Sequence, residues 1–101
     1  MRRAQVERLR ISIKVTSGAK IFYFTEENGN NISYERLMIP QGAGRRIDIA
    51  KETILVIQSS GSTKMSVTVD GDNQIIASSI DKTMFTINMQ SSGMITVGAA
   101  S

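Results

Sequence analysis

The chain has 101 residues, a net charge of +3, no cysteine and no histidine. That length fits one domain able to bury a core without covalent staples. The two missing residue types exclude disulfides, thiolate chemistry, a Ser-His-Asp or Cys-His nucleophile, and ordinary zinc, haem or iron–sulfur sites.

Residues 1–8 read as a short basic arm and 9–101 as the folded domain. Residues 1–20 hold Arg2, Arg3, Arg8, Arg10, Lys14 and Lys20 against a single Glu7, so the positive charge is an N-terminal matter. The arm lacks the apolar stretch of a secretory signal, and the chain is expected to be a complete small reading frame.

From Leu9 the sequence alternates: Leu9, Ile11, Ile13 and Val15 are apolar, and Arg10, Ser12 and Lys14 are polar. Side chains on a strand point to opposite faces with period two, so this pattern gives one dry and one wet face. The spacing predicts strands at about 8–16, 20–26, 32–39, 45–49, 53–58, 63–69, 74–78, 83–89 and 94–98. Turn residues separate them: Ser17-Gly18, Asn28–Asn31, Pro40–Gly44, Ser59–Ser62, Asp70–Asn73 and Ser91–Gly93. Ile54–Ile57 is continuously apolar and reads as a central strand covered on both faces. It is also the longest aliphatic run, far short of the ~20 residues that span a membrane. Short strands at this spacing predict an all-β, single-domain antiparallel sandwich or flattened barrel of about eight strands. Ile11, Ile13, Val15, Leu55, Ile57, Val67, Val69 and Ile87 are the expected core.

Few segments carry chemistry. Asp70-Gly71-Asp72-Asn73 lacks the twelve-residue ligand spread and the flanking helices of a calcium loop, and reads as a hairpin turn between Val69 and Ile75. Gly42-Ala43-Gly44-Arg45-Arg46 lacks the third glycine and following helix of a dinucleotide cradle, and reads as a loop entering a strand with a basic outer face. Phe22, Tyr23 and Phe24 lie beside basic residues, as in single-strand nucleic-acid sites. Alternation divides them between two faces, as in a strand covered on both sides or at a subunit contact. Glu26 and Glu27 read as solvated charge in the loop after that strand, too divergent for an acid–base pair. The serines at 59, 60, 62, 91 and 92 lack an activating base.

No enzyme activity, cofactor or metal is therefore expected. A role as a small subunit of a larger assembly remains, with protein partners in a homo- or hetero-oligomer. Arg2, Arg3, Arg8 and Arg10 are the candidate partner-binding residues, docking on an acidic patch of a neighbouring subunit. In kind, a short chain rich in Ser, Thr, Asn and Gly without catalytic residues looks like the small β-structured virion proteins of tailed bacteriophages. That resemblance implies head decoration, a neck or tail component, and localisation in the virion, otherwise the cytoplasm. The order of Lys20–Phe24, Asn28-Gly29, Pro40–Gly44, Ile54–Gln58 and Val67–Gly71 also resembles the C-terminal periplasmic β domain of the bacterial cell-shape protein RodZ. Ser17-Gly18-Ala19 and Ser59-Ser60 stand where that family has a Trp and a Gly-Asn pair. This second resemblance implies an accessory binding module. A nucleic-acid-binding barrel is the third expectation.

Overall fold

In the strand Arg8–Val15, which we label β1, burial follows the sequence alternation: Leu9, Ile11, Ile13 and Val15 are buried, and their neighbours are not. The computed structural model describes residues 7–28, 31–72 and 74–100. After β1 these residues form β2 (Lys20–Asn28), β3 (Asn31–Ile39), β4 (Gly44–Ala50), β5 (Ile54–Ser59), β6 (Met65–Asp70), β7 (Ile75–Ser78), β8 (Met84–Asn88) and β9 (Gly93–Ala99). Arg2 and Arg3 lie outside the described residues, as do residues 1–6 of the expected arm.

Two sheets result, so the fold takes the sandwich form. One has four strands in the order β4-β1-β9-β6, and the other five in the order β3-β2-β5-β8-β7. Pairing is antiparallel except between β1 and β9, which run parallel from Ile11↔Gly93 to Val15↔Val97. The first and last strands thus lie side by side, a non-local pairing that alternation within either strand does not encode. Between the sheets lies one core, with Phe22, Ile11, Ile39, Ile49, Leu55, Ile57, Ile87, Met89, Ile95 and Val97 fully buried. Each such side chain contributes about 1.5–3 kcal/mol against exposure. Six of the eight expected core residues are buried, while Val67 and Val69 pack half-buried on edge strand β6.

Most connections cross between the sheets; among the described residues only β2–β3 and β7–β8 are joined as antiparallel neighbours consecutive in the chain. The hairpin expected at Asp70–Asn73 is corrected accordingly. β6 pairs with β9 and β7 with β8, so this segment passes from one sheet to the other. Turn residues supply a bend without specifying where it leads. Gly71 adopts φ +139° there, and a Cβ would meet the Gln74 and Ser91 side chains. Gly93 is tighter still, since a Cβ on it would lie 1.8 Å from the Asp70 carbonyl oxygen. These two glycines let the crossing press against the start of β9.

The β2–β3 pair runs longer than expected. β2 pairs with β5 only over Lys20–Tyr23, yet with β3 all the way to Asn28. A two-stranded ribbon therefore continues past the sheet, and the molecule measures 52 × 25 × 25 Å. Glu26 belongs to this ribbon, not to a loop, because the cross-strand ladder carries the strand past the last core residue, Phe24.

Candidate protein interface

The registers decide which side chains share a face. On the outer side of the five-stranded sheet they form three rows across the strands. The first holds Ile54 on β5, Asn88 on β8 and Ile75 on β7, with the Tyr34–Thr25 pair of β3 and β2 beside it at the root of the ribbon, past the last β2–β5 pairing at Tyr23. The second holds Arg36, Tyr23, Val56, Thr86 and Ala77. The third holds Met38, Ile21, Gln58 and Met84.

This face is largely apolar and open. Tyr34 is 68% exposed, Ile75 64%, Met38 55% and Ile54 48%. Ile21, Tyr23 and Val56 between them are half-buried. The Tyr23 and Tyr34 rings lie 6.0 Å apart across β2 and β3. Such a tilted aromatic pair stiffens the root of the ribbon. The expectation that Ile54–Ile57 is covered on both faces is corrected. Leu55 and Ile57 face the core, but among the described residues no layer covers Ile54 and Val56. Several large apolar side chains exposed on one face make it the candidate interaction surface.

The outer side of the four-stranded sheet is different. Arg10, Ser12 and Lys14 of β1 share it with Arg46 and Asp48 of β4, Ser66, Thr68 and Asp70 of β6, and Met94 and Thr96 of β9. Arg10, Ser12, Arg46 and Asp48 line an open depression of about 430 Å³.

Of the candidate partner-binding residues, Arg8 is engaged within the chain. Its guanidinium donates to Glu26 at 2.8 Å and to Asp48 at 2.7 Å. A third hydrogen bond goes to the Asp48 carbonyl at 2.9 Å. The hydrogen bonds to Glu26 and then Asp48 push the guanidinium pKa up. Glu26 thus links the ribbon to β1 and β4. Arg10 is exposed, and its backbone N–H donates to the Ser92 hydroxyl.

The remaining candidates are structural. Ser91 accepts from the Asp72 N–H at 2.9 Å and from the Gln74 amide, and donates to the Asp72 carbonyl. The acidic turn is held by that hydroxyl, and among the described residues no three acidic side chains converge as a metal site. Phe22 and Phe24 are buried and Tyr23 faces outward, the division that alternation requires. Lys20 is 2% exposed, at the inner end of β2, and donates to the Ser17 carbonyl. Burial pushes its ammonium pKa down. Among the described residues every buried side-chain nitrogen or oxygen has a partner. No helix there is long and apolar enough to cross a membrane.

Sequence reasoning offered a subunit contact only for the β2 aromatics and did not join them with β3, β5 and β7 into one face, though the signal was present. Ile21 and Tyr23, Ile54 and Val56, and Ile32, Tyr34 and Met38 are apolar in the phase that should be wet.

No protein-family model matches the sequence, and no curated protein is similar to it. Among solved structures, a bacterial adhesin from Mobiluncus mulieris is similar in fold. Its description names intramolecular disulfide, isopeptide and ester bond cross-links. In one crystal form the TM-score is 0.57 at 11% identity, over 94% of this chain and 41% of the adhesin chain. In a second the TM-score is 0.56 at 11% identity, over 93% and 41%. At that identity the likeness shows the fold alone, and this chain spans well under half of the adhesin's length. It has no cysteine for a disulfide.

Proposed function

We propose that the chain is a non-enzymatic interaction and assembly module whose working surface is the outer face of the five-stranded sheet. The observation that carries this reading is the exposed apolar set Tyr34, Met38, Ile54 and Ile75 on a single face. An outer sheet face that carries large exposed apolar side chains offers a surface for a partner layer to bury. The domain of an adhesin is a fitting neighbour in fold for a binding module.

Within that class the chain is a small subunit of a larger assembly such as a tailed-phage virion, as a head-decoration, neck or tail component. Its Ser, Thr, Asn and Gly content and the projecting β2–β3 ribbon support that reading. Two-stranded ribbons present unpaired backbone and side chains to neighbours at little added mass. Arg2, Arg3 and Arg10, with Arg8 at their base, add an electrostatic contact to an acidic neighbour.

The test is native-size analysis of extracts from cells that make the chain, with Ile54→Lys and Ile75→Lys alongside. The natural chain should migrate in a complex larger than its 11.0 kDa, and both substitutions should shrink it. A complex whose size ignores both substitutions overturns the face as the working surface. Capsid and portal genes beside its gene, and the chain in purified particles, are expected for the virion reading; particles lacking the chain overturn it.

A further inference from the structure

Resting on that reading, we propose that the occupant of the apolar face is a second copy of the same face, packed about a two-fold axis that runs along β5.

Size comes first. Five strands about 4.8 Å apart and about 3.3 Å per residue give a flat footprint of roughly 500 Å². Side-chain relief raises the accessible area toward the ~800 Å² per partner of a standard interface. The face is therefore large enough to hold a dimer without help from elsewhere.

Charge comes next. Among the described residues of the three rows, Arg36 carries the single charge, and it sits on edge strand β3. A partner needs no acidic patch over the centre; it needs an apolar, neutral surface, which this face itself provides. Two ways of turning a copy onto the face keep the sheets aligned. An axis across the strands lays β3 over β3 and brings the two Arg36 side chains together. An axis along β5 reverses the strand order, so that β3 lies over the partner's β7 and β2 over the partner's β8. The two Arg36 side chains then sit on opposite rims, about 20 Å apart at ~4.8 Å per strand. That is beyond the screening length of ~8 Å at physiological salt.

The rows are complementary in this second arrangement. Rows superpose, with Ile54 on Ile54 and Val56 on Val56 at the axis. Ile21 lies over Met84, and Tyr34, at the root of the ribbon, lies on the side of Ile75. Arg36 lies over Ala77, a small residue that leaves room for its stem to lie flat and its head to reach water. The bulkiest edge thus meets the smallest one.

Three measurements test this on the purified full chain. Sedimentation equilibrium should show a reversible change from monomer to dimer, and Ile54→Lys with Ile75→Lys should weaken it at least tenfold. Both positions are exposed, so the β circular dichroism spectrum should not change. The chain has two tyrosines and no tryptophan, and both tyrosines lie on this face. Quenching of their fluorescence by acrylamide should therefore fall as the dimer forms. Finally, Ala77→Glu should tighten the dimer by pairing with Arg36 of the other copy, and Ala77→Arg should loosen it, both effects fading with salt. A chain monomeric up to ~100 μM overturns the proposal, while the interaction reading then stands or falls on the extract complex. A dimer whose tyrosines stay open to quencher overturns the face. Equal effects of the two charges at Ala77 overturn the strand order.

Discussion

The two outer faces of the sandwich are built on the same pleat and filled differently. On the four-stranded sheet β1 places Arg10, Ser12 and Lys14 toward solvent, and β6 places Ser66 and Thr68 there. On the five-stranded sheet β5 places Ile54 and Val56 outward, and β3 places Tyr34 and Met38. Both sheets share one core, so stability does not require the second pattern. Water makes exposed isoleucine no asset to a monomer. The difference separates residues that fold the chain from residues that remain for something else.

The largest effect falls inside β5 itself. Leu55 is fully buried and Ile54 is 48% exposed, although the two are adjacent. Leu55→Ala should destabilise the domain by about 2–5 kcal/mol through lost burial and the cavity left behind. Ile54→Ala at a dilution where the chain is monomeric should change stability by less than about 1 kcal/mol. Urea denaturation of the two variants checks this. Similar midpoints would mean that the outer face also serves folding, and the comparison would collapse.

Next comes the crossing that joins the two sheets. A Cβ at Gly93 would run into the Asp70 carbonyl, which is backbone and has nowhere to move. Gly93→Ala should therefore cost about 1–3 kcal/mol, as overpacking does. Gly42 offers the control for space, because nothing lies within 4 Å of a Cβ placed there. Its φ of +85° still penalises alanine. The melting temperature should fall further for Gly93→Ala than for Gly42→Ala.

Much of the fold was legible in the sequence, and these residues show why. Alternation marks Leu9 through Val15, Phe22 with Phe24, and Leu55 with Ile57 as inward, since burial on one face follows directly from period two. It is silent on partners: nothing local distinguishes a hairpin at Asp70–Asn73 from a crossing. The parallel pairing of β1 with β9 joins residues about 80 positions apart. The candidate interface was half legible. Ile54–Ile57 announced two apolar faces, but the second was assigned to intramolecular cover. Only the strand order shows that both sheets are already paired through their other faces.

A smaller effect should appear at the inner end of β2, where folding buries a charge. Burial lowers the pKa of Lys20 below its ordinary 10.5. Between the folded and unfolded values the unfolded chain binds more protons, so stability should rise with pH there. Thermal melts from pH 8 to 10.5 should show that rise in the natural chain and lose it in Lys20→Met. A rise that persists in the variant would assign it to another group.

The smallest expected effect on folding belongs to the basic arm, and it separates two kinds of contact. Deleting residues 1–6 leaves Glu7, whose carbonyl accepts from the Lys51 N–H at 2.8 Å. Arg8 also keeps its bonds to Glu26 and Asp48. The truncated chain should therefore give the same β circular dichroism spectrum and nearly the same melting temperature. Self-association through the apolar face should survive too, and should change little from low to high salt, because burial of apolar surface does not depend on screened charge. Contact with an acidic neighbour through Arg2, Arg3 and Arg10 should instead weaken both on truncation and with added salt. Sedimentation of the two chains at about 50 mM and 500 mM salt reads both, since the screening length shortens between them. Salt-sensitive self-association that vanishes on truncation would move the dimer contact from the sheet to the arm. It would leave Ile54 and Val56 without the partner assigned to them here.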